Sequence, residues 1–227
     1  MNAALFDREW IVGGTAPDAL EHWDTVENGE RLFATVNAGI NVYPKSPDIY
    51  AIFELEAISR FGDDARQLLR AGTDVWTRDI RQGGVHPEAH TIRQDIDMAS
   101  ATDKDITRYI KGQNRCLIIS GVTLIQVIIE KYRPKAIHLT GFSGYAPGNM
   151  YHIHAKDNFP DPSATWCKRR NRIARAYFTQ MAGVHDNVWF IGYGDCNLTK
   201  GCGLRNVLTY NGHSVHVSAD RNSAIVS

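Results

Sequence analysis

The sequence predicts an α/β fold of Rossmann-like type, in which a parallel sheet has helices on both faces and a small lid or irregular insertion. Three observations predict this fold. Short apolar segments recur along the chain, segments with helical character separate them, and loops containing glycine or serine follow several of them. Strands that alternate with helices are typical of a parallel sheet covered on both faces.

The individual elements follow from hydrophobic spacing and from turn residues. The predicted strands are 10–13, 32–36, 49–53, 73–77, 116–119, 136–139 and 188–191, and the predicted helices are a polar stretch up to about residue 27 and the segments 55–71, 122–132 and 168–182. Apolar residues recur at helical spacing in 55–71. In 122–132 they lie on more than one face, which is typical of a buried helix.

The length bounds the domain organisation. The 227 residues fit a single α/β domain, 1–227, that buries a core without disulfides or a structural metal. Residues 79–114 are polar and lack clear periodicity, so we expect the lid or irregular insertion there. Residues 192–227 are rich in glycine and asparagine, and we expect a tail with a hairpin near 204–217.

Composition excludes several classes of protein. The 25 basic residues balance the 25 acidic ones, so net charge gives no indication of a nucleic-acid partner. No apolar run is long enough for a signal peptide or a membrane span. The four cysteines form no Cys-x-x-Cys pair, which argues against a zinc ribbon and favours reduced thiols. We therefore expect a cytoplasmic protein with no membrane span.

The loop after the first predicted strand contains Gly13, Gly14, Thr15 and Pro17. A strand followed by a glycine turn and a helix start can direct backbone N–H groups at an anion, and glycine allows close approach. The alternative is a plain strand-to-helix turn. Under the anion hypothesis, a Gly14→Val change weakens ligand binding and leaves the fold largely intact.

Other predicted loops carry polar groups at equivalent places. Asn37 ends the second strand and offers an amide to a base or sugar, or else caps a turn. Ser120 and Gly121 form a predicted tight turn between a buried strand and a buried helix. The basic helix start around Arg170 either contacts phosphates or is a solvated helix face.

The loop over 140–154 combines glycines, tyrosines and histidines. Its predicted functional residues are Gly141, Ser143, Tyr145, Tyr151, His152 and His154. Histidine exchanges protons near neutral pH, and a tyrosine hydroxyl can hold a phosphate. The spacing His152-x-His154 also suits a metal, but no third ligand is evident in the sequence, so we predict no metal site.

Several of these segments together resemble a known family pattern. "WIVGGTAPDAL" is similar to the strand and Gly-x-Gly-Pro-Ser-Leu loop that open the bacterial sialyltransferases of glycosyltransferase family 42, and the 6-hydroxymethylpterin pyrophosphokinase-like (MptE-like) Rossmann proteins. "LFATVNAGI" and "SPDIYAIFE" resemble their second and third strands. "ISGVTLIQVIIEKYRPKAIHLTGFSGY" resembles their Ser-Gly-Val segment, helix, strand and Gly-x-Asp-x-Tyr. The resemblance covers about 10–55 and 116–192.

This resemblance implies a nucleotide-sugar-dependent glycosyltransferase that takes a nucleotide-sugar donor and a hydroxyl acceptor. By resemblance, the residues that bind the nucleotide or its phosphates are Gly13, Gly14, Thr15, Pro17, Asn37, Ser120, Gly121, Gly141 and Ser143. Tyr145 and Tyr151 match the tyrosines that hold the leaving phosphate, and His152 or His154 is the nearest match to the family's base. No metal is strictly required. Ser143 and Asp18 depart from the family's aspartate and serine, which leaves the nucleotide and the sugar open.

Three alternatives stay open at this point. A pyrophosphokinase-like transferase would use ATP and Mg²⁺, with Asp48 or Glu54 as carboxylates. His138-Leu139-Thr140 and His216-Val217-Ser218 fit the short motif of two-histidine phosphoesterases, although His138 inside an apolar strand is also typical of a structural histidine. The third alternative is a module that binds a nucleotide or glycan without catalysis.

Overall fold

A computed structural model describes residues 5–16, 18–92, 101–113, 119–145, 163–185, 187–193, 198, 202, 215–217 and 224–226. In chain order its elements are β1 (Glu9–Gly13), α1 (Trp23–Val26), β2 (Leu32–Val36), β3 (Ile49–Ile52), α2 (Leu55–Arg70), β4 (Asp74–Arg78), β5 (His90–Ile92), α3 (Asp103–Ile110), α4 (Ser120–Tyr132), β6 (Ala136–Thr140), α5 (Ala164–Met181), β7 (Trp189–Gly192), β8 (Val215–Val217) and β9 (Ala224–Val226). Short 3-10 turns follow β2 and β4.

Seven strands form one parallel sheet in the order β5-β4-β3-β2-β1-β6-β7. The chain builds outward from β1 to β5 and then returns to place β6 on the other side of β1. The strand order therefore reverses between β1 and β6. In such sheets, ligands bind beyond the carboxyl ends of the strands at this point of reversal.

Helices cover both faces of the sheet because the central strands are apolar on both sides. Trp10 and Val12 face a cluster formed mainly with α3, α4 and α5. Ile11, between them, packs on the opposite face against α1 and the residues around it, and α2 covers that face beside β3 and β4. The predicted Rossmann-like α/β fold with helices on both faces is confirmed.

Most predicted elements agree with the structure, but α5 begins at Ala164 rather than 168 and the predicted start of α4 is also wrong. Helix α4 begins at Ser120, so Ser120 and Gly121 are its first helical residues rather than a tight turn. The backbone N–H of Thr123 donates to the carbonyl of Ile119 at 2.8 Å, which closes a helical turn over both residues. Of the strand predicted over 116–119, residues 116–118 lie outside the described residues.

Residues 79–114, where we expect the lid or irregular insertion, contain two regular elements in their described part, and whether the segment is a lid stays a prediction. Strand β5 pairs with β4 and extends the sheet. Helix α3 begins with a capping box between Thr102 and Asp105 and buries Ile106, Tyr109 and Ile110 in the largest core cluster. In its described part this segment therefore continues the sheet and the core. The hydrophobic face of α3 is short, which is why the sequence pattern missed it.

The tail contains a two-stranded antiparallel sheet of β8 and β9. The predicted hairpin lay earlier, near 204–217, and residues 203–214 lie outside the described residues. Whether 1–227 form one domain stays a prediction. In the part of the chain that the structure describes, no helix has the length and apolar character needed to cross a membrane.

His138 lies inside β6 and is almost fully buried, at 2% exposure. Its Nδ1 is 2.9 Å from the Tyr193 hydroxyl and its Nε2 is 3.2 Å from Glu9 Oε2. A neutral ring protonated on Nε2 satisfies both contacts. Burial, and then the charge of Arg31, lower the pKa of His138 to about 4 against the opposing effect of Glu9. These contacts are those of a structural histidine.

The lowered pKa of His138 predicts a pH dependence of stability. Above about pH 6.5 its contribution is fully present; as pH falls from there towards 4, the unfolded chain takes up a proton that the folded chain does not. We expect the free energy of unfolding to fall by up to about 1.4 kcal/mol per pH unit from this residue. Urea denaturation between pH 4.5 and 7 measures this, and His138→Gln should flatten the slope. The half-buried His86 provides the control, and an equal effect of His86→Gln would contradict the assignment.

Candidate functional site

The loop after β1 lies directly on the carboxyl end of β6, where the strand order reverses. The N–H of Gly14 donates to the carbonyl of Thr140 at 2.8 Å, and the N–H of Ala16 donates to the carbonyl of Gly141 at 3.4 Å. From the side chain, Thr140 Oγ1 donates to the carbonyl of Ala19 at 2.8 Å. The predicted ligand loop is therefore bonded to the neighbouring strand along its length.

Gly14 and Gly141 are glycines because their backbones touch. A Cβ on Gly14 would lie 2.2 Å from the carbonyl oxygen of Gly141, which no backbone tolerates without moving. Gly141 has φ +71°, in the left-handed region, and a Cβ there would lie 2.9 Å from the backbone of Gly14. The expectation that Gly14→Val leaves the fold largely intact is therefore corrected.

Gly13 and Thr15 are held in the same packed loop. A Cβ on Gly13 would lie 2.5 Å from the Tyr43 ring, whose hydroxyl donates to the carbonyl of Gly14 at 2.7 Å. Thr15 is buried, and Pro17 lies outside the described residues. The N–H groups of Gly14 and Ala16 already donate to the carbonyls of Thr140 and Gly141. A phosphate contact by this loop therefore stays a prediction, and other groups of the loop would have to make it.

The amino end of α4 is buried without a capping side chain. Its N-cap is Ile119, which makes no side-chain capping bond, and no acidic residue stands in the first turn. Ser120 is 6% exposed, and its hydroxyl has no hydrogen-bond partner among the described residues. The ring of Phe142 packs close to Gly121, because glycine has no side chain. A Cβ at Gly121 would lie 3.1 Å from this ring. The first turn of a helix carries unpaired N–H groups and a partial positive charge, so this end suits an anion.

Asn37 follows β2 and takes a left-handed backbone conformation with φ +48°. Its carbonyl accepts a bond from the Tyr50 hydroxyl at 2.8 Å. Its Nδ2 donates to Glu54 Oε2 at 3.2 Å, while its Oδ1 is buried without a partner. Because a carboxylate only accepts, Glu54 fixes the amide with Nδ2 toward itself and leaves Oδ1 as a free acceptor.

Glu54 connects Asn37 to helix α5. Its Oε1 is 3.5 Å from Arg170 Nη1. The Arg170 guanidinium lies over the ring of Trp166 at 4.4 Å from the centroid, and Trp166 meets Tyr145 edge to face with centroids 5.0 Å apart. These five side chains form a continuous row from the end of β2 to the start of the loop after β6.

Asn171 fixes the backbone at Tyr145. Its Oδ1 accepts from the N–H of Tyr145 at 3.0 Å, and its Nδ2 donates to the carbonyl of Tyr145 at 2.8 Å. Ser143 is partly exposed two residues earlier. Tyr151, His152 and His154 lie outside the described residues, so their predicted roles stay predictions.

Ser120 and Arg170 both lie towards the carboxyl edge of the sheet. Helices α4 and α5 each lead by a short connection into a parallel strand, so both amino ends point to the carboxyl edge. Tyr177 on α5 donates to Gln126 on α4 at 2.8 Å. Ser120 and Arg170 precede these two residues on their helices and so lie nearer that edge. We call Asn37, Glu54, Ser120, Tyr145, Trp166 and Arg170 the carboxyl-edge cluster.

The sequence predicted part of this cluster but not the contacts between its side chains. Asn37, Ser120 and Tyr145 were predicted nucleotide or phosphate contacts, whereas Glu54 was considered only as a metal ligand. No role was predicted for Trp166. Two signals were present. Asn37 and Glu54 follow neighbouring parallel strands, whose ends meet at one edge, and Trp166 and Arg170 stand four residues apart on one helix.

The two carboxylates proposed for Mg²⁺ lie at opposite ends of β3. Asp48 precedes the strand and accepts from the N–H of Phe33 at 2.8 Å, whereas Glu54 follows it. At about 3.3 Å per residue they are separated by roughly 20 Å and cannot share one ion. Among the described residues, no three His, Cys, Asp or Glu side chains are grouped to hold a metal.

The fold and site together define a class: a Rossmann-like parallel α/β protein with a polar and aromatic cluster at the carboxyl edge of its sheet. Comparisons with known proteins match no protein-family model, no curated protein and no solved structure. The class therefore rests on the topology and on the contacts of the described residues.

Gly14→Ala tests the backbone contact at the point of strand reversal. We expect it to lower the free energy of unfolding by about 1–3 kcal/mol or more, because the added Cβ forces the ends of β1 and β6 apart. Thermal or urea denaturation measures this. Gly62→Ala is the matched control, since the nearest atoms to its Cβ would be side-chain atoms of Arg66 and Ile58 at 3.6 Å or more inside α2, and helix propensity favours alanine. If Gly14→Ala is as stable as Gly62→Ala, the close contact is not a constraint.

Proposed function

We propose that this protein is a nucleotide-sugar-dependent transferase that binds its donor at the carboxyl-edge cluster. The observation that carries the proposal is the buried, uncapped amino end of α4, where the Ser120 hydroxyl has no partner. A buried helix end and a buried hydroxyl without partners are costly unless a ligand satisfies them. An anion satisfies both, and the phosphates of a nucleotide are the anion that this fold commonly binds.

Asn37 supports a nucleoside beside that phosphate. Its buried Oδ1 has no donor among the described residues, and a ribose hydroxyl or an amino group on the base would supply one. The bond from Nδ2 to Glu54 holds the amide in the orientation that presents this acceptor. The anion site and the nucleoside site then lie on one edge of the sheet.

The transfer step proposed here follows the sialyltransferase resemblance. An acceptor hydroxyl attacks the anomeric carbon of the donor sugar, the bond from that carbon to the phosphate oxygen breaks, and the nucleotide leaves with the electron pair. The hydroxyl proton passes to a histidine base, His152 or His154. Tyr145 and Tyr151 would donate to the leaving phosphate as its charge develops.

The geometry bears on two alternatives. For a pyrophosphokinase-like site with Asp48 or Glu54 as a Mg²⁺ carboxylate, Asp48 lies at the amino end of β3, away from the carboxyl-edge cluster, so only Glu54 is placed for that role. A two-histidine phosphoesterase needs His138 to reach a substrate, but its ring is buried and both nitrogens have partners. Neither observation bears on transfer from a nucleotide sugar.

Thermal shift with CMP, UDP, GDP and ADP, each with and without Mg²⁺, tests nucleotide binding. A ligand that binds only the folded protein raises its Tm. Ser120→Ala should weaken the effective nucleotide about 10- to 100-fold, because a bond to a charged phosphate is lost. The free variant should be as stable as the parent or more stable, because the hydroxyl removed has no partner.

Ser59→Ala on the exposed face of α2 is the matched control and should leave nucleotide affinity unchanged. If none of the nucleotides raises the Tm of the parent protein, the proposed function is wrong. If Ser120→Ala and the parent bind the nucleotide with equal affinity, the amino end of α4 is not part of the binding site.

Tyr145→Phe tests the proposed role at the leaving phosphate. Because Asn171 holds Tyr145 by its backbone and Trp166 by its ring, we expect normal folding and near-normal nucleotide affinity. We expect kcat to fall about 10²- to 10³-fold, measured as nucleotide released from a donor sugar. Tyr177→Phe is the contrast: it loses the bond to Gln126 in the core, so its Tm falls while kcat stays. Full activity of Tyr145→Phe would exclude this role.

A further inference from the structure

Arg170 has far more donors than acceptors around it. Its guanidinium carries five N–H donors, yet the described residues give it one acceptor, Glu54 Oε1 at 3.5 Å. The side chain is only 20% exposed. A largely buried arginine that is held by one long contact is poorly satisfied, and an incoming oxyanion would satisfy it better.

Trp166 holds the guanidinium in place without using its donors. The guanidinium carbon lies over the Trp166 ring at 4.4 Å from its centroid, and this cation–π contact needs no hydrogen bond from the five N–H donors. The two residues are four apart on α5, so the helix itself sets their spacing. Arg170 is therefore oriented before any ligand arrives, which lowers the entropy cost of binding.

Glu54 is bound more closely to Asn37 than to Arg170. Its bond from Asn37 Nδ2 is 3.2 Å long, against 3.5 Å for its contact with Arg170. If Arg170 turns to another anion, Glu54 keeps its bond to the amide and 40% of its side chain stays exposed to water. The ion pair is thus of the partly exposed kind, which contributes little stability and is exchanged at small cost.

We infer that Arg170 binds a phosphate group of the substrate by exchanging Glu54 for it, so that Glu54 is an internal competitor for the phosphate. This inference rests on the proposed nucleotide site, and it gives two members of the carboxyl-edge cluster, Arg170 and Glu54, opposite roles in binding the phosphate. The guanidinium can donate two parallel N–H bonds to two phosphate oxygens. In the contact with Glu54 only one carboxylate oxygen, at 3.5 Å, is within reach of the guanidinium. Glu54 also repels a phosphate bound beside it, so it lowers anion affinity in two ways.

The two residues should consequently have opposite effects on anion affinity. We would titrate the full chain with inorganic pyrophosphate by calorimetry at low salt. Arg170→Gln should weaken pyrophosphate about tenfold or more, and Arg170→Lys should restore only part of the loss because the fork is gone. Glu54→Gln should strengthen it about two- to tenfold. Arg169→Gln, an exposed neighbour on α5, carries the same charge change and should have little effect.

The outcomes separate this inference from the proposed function. The inference is overturned if Arg170→Gln and Arg169→Gln lose equal affinity, or if Glu54→Gln weakens pyrophosphate; circular dichroism and Tm establish that each variant is folded. If nucleotides stabilise the parent and all four variants equally, the nucleotide site survives and the role of Arg170 fails. If pyrophosphate obeys the predicted order while no nucleotide binds, the role of Arg170 survives and the transferase proposal fails.

Discussion

The backbone contact between Gly14 and Gly141 is the constraint on which the rest of the structure depends. It joins the ends of β1 and β6 where the strand order reverses, with a bond from Gly14 N–H to the Thr140 carbonyl. Any side chain at Gly14 would clash with the carbonyl oxygen of Gly141. Because the two backbones touch, Phe142 can lie against Gly121 at the start of α4. The positions of the β1 loop, the β6 loop and the α4 end are therefore set together.

This contact also determines where a ligand can bind. The gap between the ends of β1 and β6, where Rossmann-like proteins commonly receive phosphates, is filled here by backbone. Open hydrogen-bonding capacity lies instead at the amino end of α4, at Asn37 and at Arg170. These groups lie toward β2 and β3 and toward the helices of the larger core cluster, so the proposed function places its ligand there.

The sequence predicted the fold well because burial on both faces leaves a strong apolar signal, as in Trp-Ile-Val-Gly of β1. It predicted the site less well for two physical reasons. Glycine permits close approach by a ligand and by another strand equally, so Gly14 looks the same in either role. Contacts such as Glu54 with Arg170 join residues 116 apart in sequence, and no local pattern encodes them. Helix α3 was missed because its apolar face spans only two turns.

The unsatisfied groups of the carboxyl-edge cluster are more informative than its bonds. Buried hydroxyls and amides without partners destabilise a folded protein, and natural sequences retain them chiefly where function requires them. Here a buried hydroxyl at Ser120, a buried amide oxygen at Asn37 and a poorly paired guanidinium at Arg170 lie on one edge of one sheet. An anion and a hydrogen-bond donor would satisfy these groups, and under the proposed function the phosphate and the ribose of a nucleotide would supply them.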